Sequence, residues 1–257
     1  MNTRDEMRAI AARNYRHWTD YVARTDRDFQ SPRGLAAPRE KCAVIVEARP
    51  HPHLGYVMRN VMHFLDDSWG LCVVHGRENR SFVEELVGGW GDVALIDGGF
   101  ATIDTERFND LLTRPSFWEQ LPSETLLMFQ TDSILRRHGI DDFLEFDYVG
   151  APWMHALISR DDRAEETGPV GNGGLSLRKK SVMLKILERH ERDPDLQEDQ
   201  YFSRWLYRDG HRMPSLTTAS LFSTETIFQP ESLGLHKAWL YHFERPFLDL
   251  LRTTDAH

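Results

Sequence analysis

An α/β fold with a mixed, mostly parallel central sheet flanked by helices is predicted by three observations. Short apolar runs rich in β-branched residues alternate with segments of helical period through the first half of the chain. The connections between these runs are long enough to be crossover helices. One run, Leu126-Leu127-Met128-Phe129, stops at the polar tripeptide Gln130-Thr131-Asp132. That is how a buried strand ends when it delivers a carboxylate to the sheet edge where open α/β folds bind ligands.

The elements follow in order. Met7, Ile10, Ala11, Tyr15, Trp18, Tyr21 and Val22 recur at helical spacing, which predicts an amphipathic N-terminal helix over Met7–Val22. Its apolar face has three uses: its own domain, a second copy in a homo-oligomer, or a partner. A polar linker, Thr25–Lys41, follows, so residues 1–40 read as helix and linker and residues 41–257 as one domain. Cys42–Glu47 is apolar and β-branched between charges, a buried first strand. Then come a helix over Leu54–Leu65, a strand over Trp69–His75, a helix over Ser81–Val87, a strand over Val93–Ile96 and a helical stretch over Thr105–Trp118. After Asp132 a helix is expected over Ser133–His138, a polar loop over Ser159–Gly168 and helices over Lys179–Glu191 and Glu198–Tyr207. Ser220–Phe228 reads as strand, and a last helix follows Trp239.

Composition narrows the function. The chain has 257 residues, 40% hydrophobic and 28% charged, with a formal net charge of −9. Without basic excess to displace counterions, the composition argues against non-specific nucleic-acid binding, and no nucleic-acid partner is expected. An anionic ligand needs helix N-termini, a few Arg residues or a metal ion. The two cysteines, Cys42 and Cys72, lie in strand-like runs without zinc-ligand spacing; they either pair or stay as buried free thiols, the latter suiting a reducing cytosol. The N-terminal residues lack an apolar signal region, and no apolar run reaches the roughly 18 residues of a membrane span. A cytoplasmic protein without a transmembrane segment is expected.

Four segments offer chemistry. Asp132 at a strand end suits a divalent cation, and equally the cap of the helix expected after it. Gly171-Asn172-Gly173-Gly174 permits close backbone approach and positive φ, either to lay a sugar or phosphate on exposed N–H groups or to make a tight turn. Glu198-Asp199 opens a helix, where one acid can cap it and the other face a cleft as general base. His236 beside Lys237 combines a metal-ligating imidazole with a cation for phosphate, or is a buried structural histidine. His51 and His53 are separated by Pro52, in a loop poorly suited to metal.

In this order, Gln130-Thr131-Asp132, Tyr148-Val149-Gly150-Ala151-Pro152-Trp153, Gly171-Asn172-Gly173-Gly174-Leu175-Ser176-Leu177-Arg178, Glu198-Asp199-Gln200-Tyr201-Phe202 and Gly234-Leu235-His236-Lys237 resemble a glycosyltransferase of the GT-A (Rossmann-like) fold. The closer resemblance is to a bacterial and viral glycosyltransferase-like domain family of unknown function, over roughly Ala43 to Trp239. That resemblance implies a nucleotide-sugar donor, with a UDP-sugar as the default, and an acceptor glycan or other hydroxyl compound. It implies Mn²⁺ or Mg²⁺ held by Asp132 and His236, Asp199 as catalytic base of an inverting transfer, and Glu198 orienting the base or acceptor. It implies donor contacts from Glu47, Arg49, Gln130, Thr131, Asp132, Asn172, Gly173, Gly174 and Lys237. Gln130 stands where the family's metal motif has its first acid. It adds no second negative charge, so ion and diphosphate are expected to bind together. A non-catalytic nucleotide-sugar-binding or scaffold protein is the alternative. A dinucleotide-dependent oxidoreductase lacks its Gly-x-Gly-x-x-Gly after the first strand.

Overall fold

The computed structural model describes residues 3–38, 40–154 and 168–252. Six strands form the main sheet: β1 (Lys41–Glu47), β2 (Trp69–His75), β3 (Ala94–Asp97), β4 (Thr125–Phe129), β6 (Tyr148–Val149) and β7 (Leu175–Lys179), in the order β3-β2-β1-β4-β7-β6. The first four are mutually parallel, while β7 runs antiparallel to β4 and to β6. The expected mixed, mostly parallel sheet is therefore present. Alternate residues serve opposite faces: Ala43, Ile45, Leu127 and Phe129 join one core, and Cys42, Val44, Leu126 and Met128 the other. Both faces are covered, which is why these strands read as unbroken apolar runs. Cys42 and Cys72 are buried free thiols on adjacent strands. The hydrogen bond with Cys72, and then burial, push the Cys42 thiol up.

Helix α1 (Thr3–Thr25) packs on its own domain. Trp18, Tyr21 and Val22 enter the main core, and the buried Asn14 amide donates to the carbonyls of Trp239 (3.2 Å) and His242 (2.8 Å). Arg13 and His17 both reach Glu244, at 3.1 and 2.8 Å, so the helix closes against the end of the chain. Helices α2 (Leu54–Phe64) and α3 (Arg80–Leu86) form where the helical period places them. The expected Thr105–Trp118 helix is two, α4 (Thr105–Leu112) and α5 (Pro115–Glu119), because Pro115 disfavours helical backbone at Arg114 and opens a new helix. Beyond β7 come α6 (Lys180–Arg189) and α7 (Glu198–Arg208). The polar loop expected over 159–168 lies outside the described residues except for Gly168.

Two expectations fail, and both concern the site. Ser133–His138 forms no helix. Ser133–Leu135 is a strand, β5, antiparallel to β9 (Gly234–His236), which also pairs with β8 (Ser223–Thr224) in a separate three-stranded sheet. A six-residue stretch has little helical stability of its own, and burying Ile134 and Leu135 against β9 decides its form. Most of the strand expected over Ser220–Phe228 is likewise replaced. Leu216–Phe222 is helix α8, capped by the Ser215 side chain, which accepts from the Thr218 amide. Two short helices, α9 (Ala238–Tyr241) and α10 (Glu244–Arg252), end the described chain. Among the described residues no helix is long and apolar enough to cross a membrane.

Because α1 is part of the core, Trp18→Ala is expected to cost about 3–5 kcal/mol in urea denaturation followed by circular dichroism. Unchanged stability would make α1 an appendage.

Candidate active site

Strand order places β1 between β2, its successor, and β4, which lies on its other side. That reversal is the switch point at which open α/β sheets bind ligands, beyond the carboxyl ends of the strands. A cleft of about 680 Å³ opens there. Val46 and Glu47 from β1, Gln130-Thr131-Asp132 after β4, Gly173-Gly174 before β7, Glu198-Asp199 at the start of α7 and His236-Lys237 after β9 all line it. Five segments distant in sequence thus meet in one cavity, and Arg49 completes the set. Asn172 does not line it.

One wall is built by the small sheet. Pairing of Ser133 with His236 sets the residues on either side, Asp132 and Lys237, together, and the Lys237 amide donates to the Asp132 carbonyl at 3.2 Å. Lys237 holds φ at 46°, a region costly for a residue with a side chain. His236 Nε2 lies 3.5 Å from Asp132 Oδ1, and Lys237 Nζ lies 3.8 Å from Oδ2. His236 Nδ1 bonds Glu225 Oε1 at 3.0 Å. Burial would push the Asp132 carboxyl up, but His236, helped by Lys237, reverses this and holds it at about 2. Burial opposes charge on His236 too, yet Asp132 and Glu225 push it up to about 9. With no helix directly after Asp132, helix capping is not its role.

His236 Nε2 and Asp132 Oδ1 are buried, face each other and have no hydrogen-bond partner. Two hard or borderline donors in that state fit a divalent cation that takes its remaining ligands from phosphate and water. Among the described residues no group of three or more His, Cys, Asp or Glu side chains has metal-site geometry.

The Glu198–Asp199 side of the cleft hangs on a buried ion pair. Arg178 of β7 donates from both terminal nitrogens to Glu198, at 2.7 and 2.9 Å, and from Nε to Ser176 at 2.9 Å. Its guanidinium lies 5.1 Å from the Tyr148 ring centre, with Trp118 and Phe202 nearby. Burial works against its charge, and Glu198 more than compensates, so its pKa is raised. Glu198 was expected to orient base or acceptor. Both of its oxygens are engaged by Arg178, and it acts on the next residue through backbone position and through its charge. The next residue, Asp199, accepts from the Gly173 amide at 3.0 Å and the Gln200 amide at 2.8 Å. Burial, then the adjacent Glu198, push the Asp199 carboxyl up to about 6, against the Gly173 amide, which lowers it.

The glycines serve space, not φ. Neither Gly173 nor Gly174 is in the left-handed region. A methyl at 173 would overlap Glu198, and one at 174 would overlap the His236 ring. Their amides are not open to a phosphate: Gly173 donates to Asp199, and Gly174 to the Asn172 side chain at 2.9 Å. Asn172 therefore holds the turn from beneath, which corrects its expected donor contact. Glu47 pins Arg49 through two bonds of 2.8 Å, leaving much of Arg49 exposed at the cleft. The sequence reading missed Glu225, Asn109 and Tyr241. Asn109 accepts from the Glu198 amide at 3.1 Å, and the exposed side chains of Leu240 and Tyr241 line the cleft. None carries a spacing signal.

Residues 94–236, more than half of the chain, match a family described as proteins of unknown function, DUF5672. The chain belongs to this family. No curated protein matches it. Among solved structures, the apo form of the glycosyltransferase GlyE of Streptococcus pneumoniae TIGR4 is similar at 12% identity and a TM-score of 0.48, over 77% of this chain and 54% of that one. The chain thus spans about half the length of GlyE. The galactosyltransferase LgtC, in complex with donor and acceptor sugar analogs, is similar at 12% identity and a TM-score of 0.48, over 83% and 96% of the two chains. The mannosyltransferase PcManGT from Pyrobaculum calidifontis, in complex with GDP-Man and Mn²⁺, is similar at 15% identity and a TM-score of 0.45, over 82% and 66%.

Breaking the buried pair leaves an uncompensated charge. Arg178→Met is expected to cost about 3–5 kcal/mol in chemical denaturation, and adding Glu198→Leu to recover much of it. Equal stability of the single variant and the wild type would show that the pair is not buried in solution.

Proposed function

We propose that the cleft binds a nucleotide sugar and transfers its glycosyl group to an acceptor hydroxyl, with inversion, in a GT-A-like site. The supporting observation is that one cavity holds a cationic and metal-compatible wall, Asp132–His236–Lys237, together with a carboxylate, Asp199, whose pKa suits a general base near neutrality. The acceptor oxygen attacks the anomeric carbon, the bond from that carbon to the diphosphate oxygen breaks, and the diphosphate leaves with the electron pair. The acceptor proton passes to Asp199. The Gly173 and Gln200 amides fix the orientation of this carboxylate, and the Arg178–Glu198 pair fixes the start of the helix that bears it.

Asp132 Oδ1 and His236 Nε2 would hold Mn²⁺ or Mg²⁺. Such a cation supplies neutralisation of the charge that grows on the leaving diphosphate. Charge in the cleft favours this reading. Arg49 neutralises Glu47, and Arg178 neutralises Glu198, leaving Asp104, Asp132, Asp199 and Glu225 against Lys237 and His236. A bare diphosphate would meet more carboxylate than cation, so ion and nucleotide are expected to enter together. In this reading Lys237 meets the diphosphate, and Arg49, Gln130 and Thr131 meet the nucleoside. Leu240 and Tyr241 leave the acceptor a partly apolar approach.

A thermal-shift screen of UDP- and GDP-sugars with and without Mn²⁺ identifies the donor, since a selective ligand raises apparent stability by mass action. With that donor, Asp199→Asn is expected to lower kcat by about 10²–10⁴-fold while leaving the donor KM near wild type. The base works deprotonated, so wild-type kcat rises with pH and levels off above about 6. Near-normal turnover by Asp199→Asn with donor bound removes Asp199 from the role.

A further inference from the structure

We propose that Glu225 is a positioning residue for the cation site, holding His236 in the tautomer and ring orientation that present Nε2 to an ion shared with Asp132. The inference rests on the metal-dependent reading above and adds to it a residue that no sequence motif marks. Backbone pairing puts Glu225 in place. β8 runs parallel to β9, with Ser223 opposite Gly234 and Thr224 opposite Leu235, so the next residue of each strand, Glu225 and His236, are neighbours. Their side chains are buried, 11% and 5% exposed, and 3.0 Å separates Glu225 Oε1 from His236 Nδ1.

A carboxylate only accepts, so Nδ1 must carry the hydrogen. Beside two carboxylates the ring is otherwise protonated, so an entering ion must displace the second proton, and in the resulting neutral ring the lone pair lies on Nε2. That atom has no hydrogen-bond partner and faces Asp132 Oδ1, itself partnerless, at 3.5 Å. The ring cannot swing away toward the turn, because it lies flush on Gly174 where any side chain would overlap it. Without Glu225, His236 would be free to place its hydrogen on Nε2, toward Asp132, and to close the site to a cation. The carboxylate on Nδ1 also makes Nε2 a stronger ligand, as outer-shell carboxylates do for metal-bound histidines.

The test reads the ion directly. Mn²⁺ is added to the full chain alone, with UDP and with GDP. Affinity is followed by electron paramagnetic resonance, and a directly bound imidazole nitrogen by electron spin-echo envelope modulation. Wild type with nucleotide is expected to show nitrogen coupling. Glu225→Ala is expected to lose the coupling and to bind Mn²⁺ about 10–100-fold more weakly. Glu225→Gln keeps an acceptor oxygen and should retain the coupling with an affinity between the two. Circular dichroism melting checks that each variant is folded. Glu225→Ala with wild-type coupling and affinity overturns the inference and leaves the functional reading intact. If Glu225→Ala does not fold, Glu225→Gln decides, and wild-type Mn²⁺ affinity in that variant overturns it. Wild type with no nitrogen coupling under any of the three conditions overturns the metal reading, and this inference with it.

Discussion

The ion pair between Arg178 and Glu198 is the constraint on which the site depends. It joins the central sheet to the start of α7 across a fully buried gap, with bonds of 2.7 and 2.9 Å. A bidentate pair of this kind fixes direction as well as distance, because the guanidinium fork accepts a carboxylate in few geometries. Its partners extend the restraint: Ser176 takes the third nitrogen, and the rings of Tyr148, Trp118 and Phe202 surround the cation. Two positions in the cleft follow from it. Asp199 is the next residue after Glu198, and Gly173 must lack a side chain because Glu198 occupies that space. A buried ion pair is weak evidence for net stability, yet it is costly to break, and here that cost protects the placement of Asp199.

The other wall follows a different logic. Its positions are set by a small second sheet whose strands come from residues 133–135, 223–224 and 234–236. The register Ser133↔His236 fixes Asp132 and Lys237 in space, and β8 carries Glu225 alongside. The two walls are thus held by two sheets, and the cleft lies between them. Gly174 is shared: it precedes β7 of the main sheet, and the His236 ring of the small sheet packs on it.

Much of this was legible in the sequence, for identifiable reasons. The strands β1, β2 and β4 announce themselves because burial on both faces makes them continuous apolar runs. Eleven of the twelve site residues that the resemblance implies do line the cleft; the twelfth, Asn172, braces the turn beneath it. The failures have a common cause. Ser133–His138 and Ser220–Phe228 were read from local pattern, while their form is decided by pairing with β9 a hundred residues away in the one case and by a Ser215 cap in the other. Glu225 was hidden for the same reason: it reaches His236 only through that pairing. The glycines show a subtler gap, since sequence suggests freedom of φ where the structure needs room for Glu198 and His236.

The central claim is that Asp132 and His236 hold a cation with the donor diphosphate on the wall opposite Asp199. Crystals of the full chain with Mn²⁺ and the nucleoside diphosphate selected by thermal shift test it most directly, through the manganese anomalous signal. The account predicts one strong peak within coordination distance of Asp132 Oδ1, His236 Nε2 and a diphosphate oxygen, with Asp199 across the cleft. A diphosphate bound in the cleft with manganese absent from that position, or bound outside it altogether, would contradict the account.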